Sequence, residues 1–299
     1  MNSFLLVLFN ILEEGLIYGV MALGLYITYR VLSFPDLSVD GTFPLGGCVS
    51  AVLILNGIDP AAAMIISFFC GSIAGLITGI LHVKLKITDL LSGILVMTAM
   101  WSINLAIVSG KAVLPFFSSP TIFSYEFIKQ LPTEVYMRRV VIILTVVVAV
   151  VKYAMDWFLG TKSGLLLRAV GNNEQFTISL SVDSGRMKIL GLMLCNGLAA
   201  LSGSILAQQA GSANVASGTG MMVMALASVI IGLNLFGKIK IMRPTTMVIL
   251  GSIVYKACLA VSMQLGLPAN YLKLLMSILF IIALVSGKLT QGRKVNHNA

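Results

Sequence analysis

The chain has 299 residues, of which 58% are hydrophobic and only 10% charged, with a formal net charge of +9. A soluble domain carries about a quarter charged residues, so this composition excludes a water-facing globular surface and places the chain in a membrane. The surplus of Lys and Arg falls between apolar runs, where it sets topology and gives no reason to expect a nucleic-acid partner.

The apolar runs reach about 18–22 residues, enough to cross about 30 Å of hydrocarbon as helices. The alternation that a transmembrane barrel needs is missing. The expected fold is therefore all-α: one polytopic transmembrane domain over residues 1–299, with about nine spans (8–10), surrounded by the lipid bilayer. Residues 3–12 are apolar but too short to span, and Glu13 and Glu14 follow them. The segment 1–14 therefore reads as an interfacial helix. It has neither the basic start nor the cleavage site of a removed signal peptide. Spans are expected near 15–33, 41–56, 61–82, 90–109, 139–159, 187–209, 220–236, 244–263 and 271–287.

The second span is expected to be a broken helix. The stretch SFPDLSVDGTFPLGG, Ser33 to Gly47, places Gly41 and Pro44 where a helix should run. In membranes such breaks face a cavity or are buried in protein. Ser38, Asp40 and Thr42 are candidates for a solute pathway or gate, with a structural role equally open for Asp40. Asp36, after Pro35, reads as a cap at the helix start. In the third span Gly71, Gly75 and Gly79 form a tandem GxxxG, and Gly203, Ala207 and Gly211 repeat the small-residue pattern. These faces are read as packing within one subunit. Asn104 in the fourth span and Asn196 in the sixth suit hydrogen bonds between helices, and Asn104 is also a pathway candidate.

Between the fifth and sixth spans lies a polar island, GLLLRAVGNNEQFTISLSVDSGRMK, Gly164 to Lys188. It reads as short helix, with Gly171 expected to end the first piece in a left-handed turn and Glu174 to open the second. QQAGSANVASGTG, Gln208 to Gly220, is an outer loop or a segment dipping back to line a vestibule, so Gln208 and Gln209 join the pathway candidates. Lys256, deep in the eighth span, must pair, snorkel or face water. Basic residues at 84–86, 162–188, 238–243 and 288–294 all fall on one side when the spans alternate. That side is expected to be cytoplasmic, with the N-terminus outside and a cytoplasmic tail at 288–299. Arg138 and Arg139, at the end of the outer 110–138 segment, run against the rule.

Four cysteines and two histidines show no metal-ligand spacing, so no metal site is expected. The chain also lacks GxxxxGK[ST], GxSxG and HExxH, so neither nucleotide hydrolysis nor a catalytic residue is expected in it.

The island resembles the central loop of ABC-importer permeases of the branched-chain amino acid and ribose type. The pattern G-x-x-L-R-A-x-G-x-N matches Gly164, Leu167, Arg168, Ala169, Gly171 and Asn173. GVMALGLYITYRVLSFPDLSVDGTFPLGG and ASVIIGLNLFG are similar to further stretches of that family. LPANYLKLLMSILFIIALV is similar to the end of a subgroup that works with aromatic amino acid-type binding lipoproteins. The resemblance implies a permease homodimer, two copies of a cytosolic ABC ATPase and an extracytoplasmic binding lipoprotein at a bacterial inner membrane. ATP and magnesium would bind in the ATPase, with no cofactor in this chain. The segment 160–188, with Glu174 beside the motif residues, would be the ATPase-coupling loop. The implied activity is import of an amino acid, aromatic ones included, by alternating access. Asp40 and Lys256 keep open an alternative, a secondary transporter driven by an ion gradient.

Overall fold

The computed structural model describes residues 3–125, 139–179, 183–239, 241–266, 268 and 271–295. α1 (Ser3–Leu25) runs into a π-helical stretch, Tyr26–Val31. α2 (Val39–Leu55), α3 (Pro60–Val83) and α4 (Asp89–Ile107) follow, then β1 (Val113–Pro115) and α5 (Arg139–Gly160). Two short helices, α6 (Lys162–Asn172) and α7 (Glu174–Ser179), lead to the long α8 (Ser184–Ala210) and β2 (Ser212–Asn214). A 3-10 turn (Val215–Gly218), α9 (Met221–Phe236), α10 (Pro244–Gln264) and α11 (Leu272–Val295) complete the described chain. Among the described residues, seven helical segments are long and apolar enough to cross a membrane, while α2 and the apolar part of α11, Leu274–Val285, are shorter. Each expected span thus has a helix, and the protein is an all-helical polytopic membrane protein.

Local chemistry sets the helix ends. Asp59 accepts from Ala61 N at 2.9 Å and Ala62 N at 3.3 Å, with Pro60 in the first helical position of α3. Asp183 accepts from Arg186 N at 3.1 Å to start α8, and Gly211 ends it in the left-handed region at φ 66°.

Two expected boundaries are corrected. Residues 3–12 are not a separate element: α1 is continuous from Ser3. Glu13 and Glu14 do not end it because both are engaged by neighbouring helices. Gln209 Nε2 donates to Glu13 Oε2 at 2.8 Å, and Lys256 Nζ lies 2.8 Å from Glu14 Oε2. The break expected at Gly41 and Pro44 falls earlier, at residues 33–37, and α2 runs through Pro44. Pro44 has no N–H for the carbonyl of Asp40, and Gly218 packs against that carbonyl. The tail beyond 288 continues α11 as far as Val295, and residues 296–299 lie outside the described residues.

α8 is the axis of the bundle and packs against α1, α2 and α3. Gly71 and Gly75 of α3 abut the carbonyls of Asn196 and Leu192, and Gly79 meets Ile189. Gly46 of α2 abuts the Ala200 carbonyl, and Gly203 of α8 abuts that of Phe43. The tandem GxxxG is therefore used inside the subunit. The opposite side of α3 carries exposed Ile65, Phe69, Ile73 and Ile77. Small residues inward and large apolar ones outward suit a helix between protein and lipid.

The two ends are tied separately. β1 pairs antiparallel with β2, with Leu114 opposite Ala213, which joins the two segments expected on the outer side. At the far end of α8, Asp156 of α5 accepts from Thr245 Oγ1 at 2.6 Å and pairs with Arg243 at 3.1 Å. Lys188 pairs with Glu174 at 2.6 Å.

Gly75→Val would force a branched side chain against the Leu192 carbonyl, which belongs to helix backbone and cannot rotate away. The expected cost is about 3 kcal/mol, read as a lower melting temperature in detergent. Gly160→Ala, with open space around it, should stay within about 0.5 kcal/mol of wild type. Equal melting temperatures for both variants would show that α3 does not rest on α8.

Candidate functional site

The break before α2 closes over a buried polar knot. Asp36 is fully buried. Its Oδ1 accepts from Ser38 N at 2.9 Å and lies 2.6 Å from Ser38 Oγ; its Oδ2 accepts from Asn196 Nδ2 at 2.7 Å. Asn196 Oδ1 in turn accepts from Thr42 Oγ1 at 2.8 Å and lies 2.9 Å from Ser38 Oγ. Ser38 has one hydroxyl proton between two acceptors. Among the described residues no cation pairs with this carboxyl, and N–H and O–H groups satisfy it. Asp36 closes the turn that precedes α2 and does not cap the helix: the cap position is Ser38, which has no side-chain cap bond. The partnership of Asp36 with Asn196, 160 residues away, has no marker in the sequence, and Asp36 and Asn196 are the two members of the knot outside the expected pathway set.

Asn104 stands on the other side of α2. It is fully buried and donates from Nδ2 to the Gly41 carbonyl at 3.0 Å. Its Oδ1 has no hydrogen-bond partner among the described residues. A buried acceptor left in that condition costs about 1–3 kcal/mol.

Asp40 is half-buried and points at α9. Its Oδ2 accepts from Gly220 N at 2.9 Å and its Oδ1 from Met222 N at 2.7 Å. These N–H groups belong to the first turn of α9 and have no partner within the helix. Gly220, at φ 84°, offers no capping side chain. Asp40 therefore caps a helix 180 residues away, and its charge suits the positive end of the helix dipole.

Gln208 and Gln209 lie apart from this group, at the C-terminal end of α8. Gln208 is buried, donates from Nε2 to Ser50 Oγ and the Pro60 carbonyl, each at 3.1 Å, and accepts from Ile122 N at 3.1 Å. Ser38, Thr42, Asn104 and Gln208 are thus all buried and bonded within the protein in this conformation. Lys256 takes the pairing option: besides Glu14, its Nζ lies 4.0 Å from the centroid of the Tyr18 ring.

The polar island forms α6, α7 and the start of α8, while residues 180–182 lie outside the described residues. α6 is two-faced. Gly164, Leu167 and Val170 are buried, whereas Leu165, Arg168, Asn172 and Asn173 are exposed, and Ala169 is intermediate. Thr161 caps α6 by accepting from Gly164 N at 3.4 Å, and Gly164 abuts the Phe158 carbonyl. Gly171 does not end the helix in a left-handed turn. It lies inside α6 and abuts the carbonyl of Val31 in the π stretch, where no Cβ fits. Asn173 takes the extended conformation at the junction, and its carbonyl accepts from Thr177 N at 3.1 Å. The hydrogen bond from Lys188 holds the Glu174 carboxyl below its ordinary value.

Asp40→Asn keeps one acceptor and removes the charge, while Asp40→Ala removes both acceptors. The cap loss should cost about 1 kcal/mol for Asn and about 2 kcal/mol for Ala. Melting temperatures of the purified chain should therefore fall in the order wild type, Asn, Ala. Three equal values would mean that α9 does not depend on α2.

A family model described as branched-chain amino acid transport system, permease component, matches residues 7–284. The chain is 42% identical over 285 residues to the tyrosine transport system permease protein of Clostridioides difficile (strain R20291), covering 95% of this chain and 92% of that protein. It is 31% identical over 286 residues to the uncharacterized protein RP368 of Rickettsia prowazekii (strain Madrid E), covering 94% and 98%. Identity to the ribose import permease protein RbsC of Escherichia coli (strain K12) is 26% over 231 residues, covering 75% and 68%. No solved structure matches the chain. Permeases of this kind are transport subunits and not enzymes: ATP hydrolysis resides in a separate subunit, and they work with ATPase and substrate-binding partners. The chain belongs to the permease family of branched-chain amino acid transport systems, and is the multi-pass permease component of an ABC-type transport system.

Proposed function

We propose that the chain carries an amino acid, an aromatic one such as tyrosine, into the bacterial cytoplasm across the inner membrane. The 42% identity with a tyrosine transport system permease supports the substrate class. Two copies would form the pathway between them. Two cytosolic ATPase subunits would bind ATP and magnesium, and a binding lipoprotein would deliver the solute outside. The N-terminus would lie outside and the C-terminus inside.

The observation that carries the coupling is the position of α6. One face of this helix presents Leu165 and Arg168 to solvent, and Ile178 of α7 is exposed nearby in the chain. The other face rests on the bundle, with Gly171 directly on the π stretch that leads into the Asp36 break. ATPase closure acting on the exposed face would shift the π stretch and, through it, the knot of Asp36, Ser38, Thr42 and Asn196. The Asp40 cap and the Asn104 contact with Gly41 sit beside the same break. These residues would act as a gate, alternating between two packed arrangements. Gln208 and Gln209 would hold the outer end as the gate moves.

Leu165→Glu combined with Arg168→Glu alters only exposed positions. Membrane abundance should stay normal, while ATPase co-purification is lost and tyrosine uptake falls at least tenfold. Wild-type co-purification and uptake would reject α6 as the coupling element. For orientation, Ser3→Cys should react with an impermeant thiol reagent added to intact cells and Asn298→Cys should not. The reverse pattern would invert the topology.

A further inference from the structure

A second group of charges lies at membrane depth, away from the knot and the coupling helices. Lys256 stands eight residues before the end of α10, about 12 Å along the helix axis. Glu14 stands eleven residues after the start of α1, about 17 Å along its axis. Both helices begin or end on the outer side in the proposed orientation. Lys256 and Glu14 pair at 2.8 Å, with the ammonium over the Tyr18 ring. The pair opens on a cavity of about 720 Å³ between α1, α10 and α11, lined also by Asn10, Met263 and Gln264.

Charges at this depth face a cavity or bury themselves in protein. Here the two partners differ: the Lys256 side chain is 11% exposed and that of Glu14 49%. The ion pair uses one carboxylate oxygen and one ammonium N–H. The second carboxylate oxygen and a further ammonium proton remain for a ligand. An α-amino acid offers the complementary charges, a carboxylate and an ammonium joined through a single carbon. Val7, Ile11 and Met263 supply apolar surface for its side chain, Asn10 and Gln264 supply amide groups, and the buried Tyr18 ring holds the Lys256 ammonium in place. The volume lies in the range of small-molecule sites, about 300–1,000 Å³.

We propose that Glu14, Tyr18 and Lys256 form a solute site in the outer half of the permease that takes the zwitterionic head of an amino acid, its carboxylate on Lys256 and its ammonium on Glu14. The inference rests on the amino acid importer reading above and deepens it by naming the groups the solute meets after release from the binding protein. Neither residue touches the coupling helices, so loss of the site should separate hydrolysis from transport.

The test uses proteoliposomes holding the permease with its ATPase and binding protein, with L-tyrosine uptake and ATP hydrolysis measured on the same preparation. Lys256→Met and Glu14→Gln should each leave binding-protein-stimulated hydrolysis within twofold of wild type and lower uptake at least tenfold. The exchange Glu14→Lys with Lys256→Glu should remain defective, because the restored pair presents the wrong charge to each end of the solute. Should Lys256→Met fail to fold, Glu14→Gln, which keeps the side-chain shape, carries the same expectation. Uptake restored by the exchange would show a structural ion pair and overturn the proposal. A proportional fall of uptake and hydrolysis, or uptake unchanged in both single variants, would overturn it too. A wild-type assembly that hydrolyses ATP but imports no tyrosine would instead count against the substrate reading on which the proposal rests.

Discussion

Helices in lipid gain little from burying apolar surface against one another, because the surroundings are equally apolar. What remains is close approach of backbones and hydrogen bonds between helices, and α8 supplies both. Glycines of α3 and α2 bring their backbones against its carbonyls, and its own Gly203 meets the Phe43 carbonyl. Hydroxyls lock the approach: Ser202 Oγ donates to the Ile17 carbonyl at 2.6 Å, and Ser67 Oγ to that of Gly46 at 3.1 Å. The Asp36 knot depends on this packing, since Asn196 reaches Asp36 only because α8 lies against α2 and α3.

The molecule then reads as a rigid axis with separate fittings at its two ends. The C-terminal end of α8 is held by the short β1–β2 pair and by Gln208, which joins α8 to α2, to the start of α3 and to the segment around Ile122. The other end is held by ion pairs, Asp156 with Arg243 and Glu174 with Lys188. Between them lies the Asp36 knot, which contains no salt bridge among the described residues. Ion pairs at an aqueous end are readily exchanged with water. A knot of neutral donors on a buried carboxyl has no such substitute in water.

Periodicity and composition disclose the spans well, because apolar runs of spanning length have few other uses. The break near Pro35 was legible from Pro and Gly, although its place was not. Pro44 lies early in α2, where the loss of one helical hydrogen bond is tolerated, and the interruption moves upstream. Long-range pairings were illegible for a different reason. Asp40 capping α9, Asp36 meeting Asn196 and Lys256 meeting Glu14 join residues more than 150 positions apart, and a single sequence holds no record of such distances. Gly171 shows a subtler limit: the residue was marked correctly and its reason was not, since close approach to a carbonyl and a left-handed turn both demand glycine. The family motif in the polar island was recognisable by resemblance, whereas the two-faced character of α6 became clear only once its buried face had a partner.

The contact between Gly171 and the Val31 carbonyl has a mechanical consequence. Where side chains separate two helices, rotamer changes absorb small displacements, and a push of a fraction of an ångström is dissipated before it arrives. Here backbone meets backbone, with no rotatable bond between them. A load on α6 would therefore pass to the π stretch at nearly full amplitude. A π stretch carries wider hydrogen-bonded rings than an α-helix and is the less regular part of α1. Stiff input would thus meet compliant output within one residue contact, the arrangement of a lever resting on a hinge.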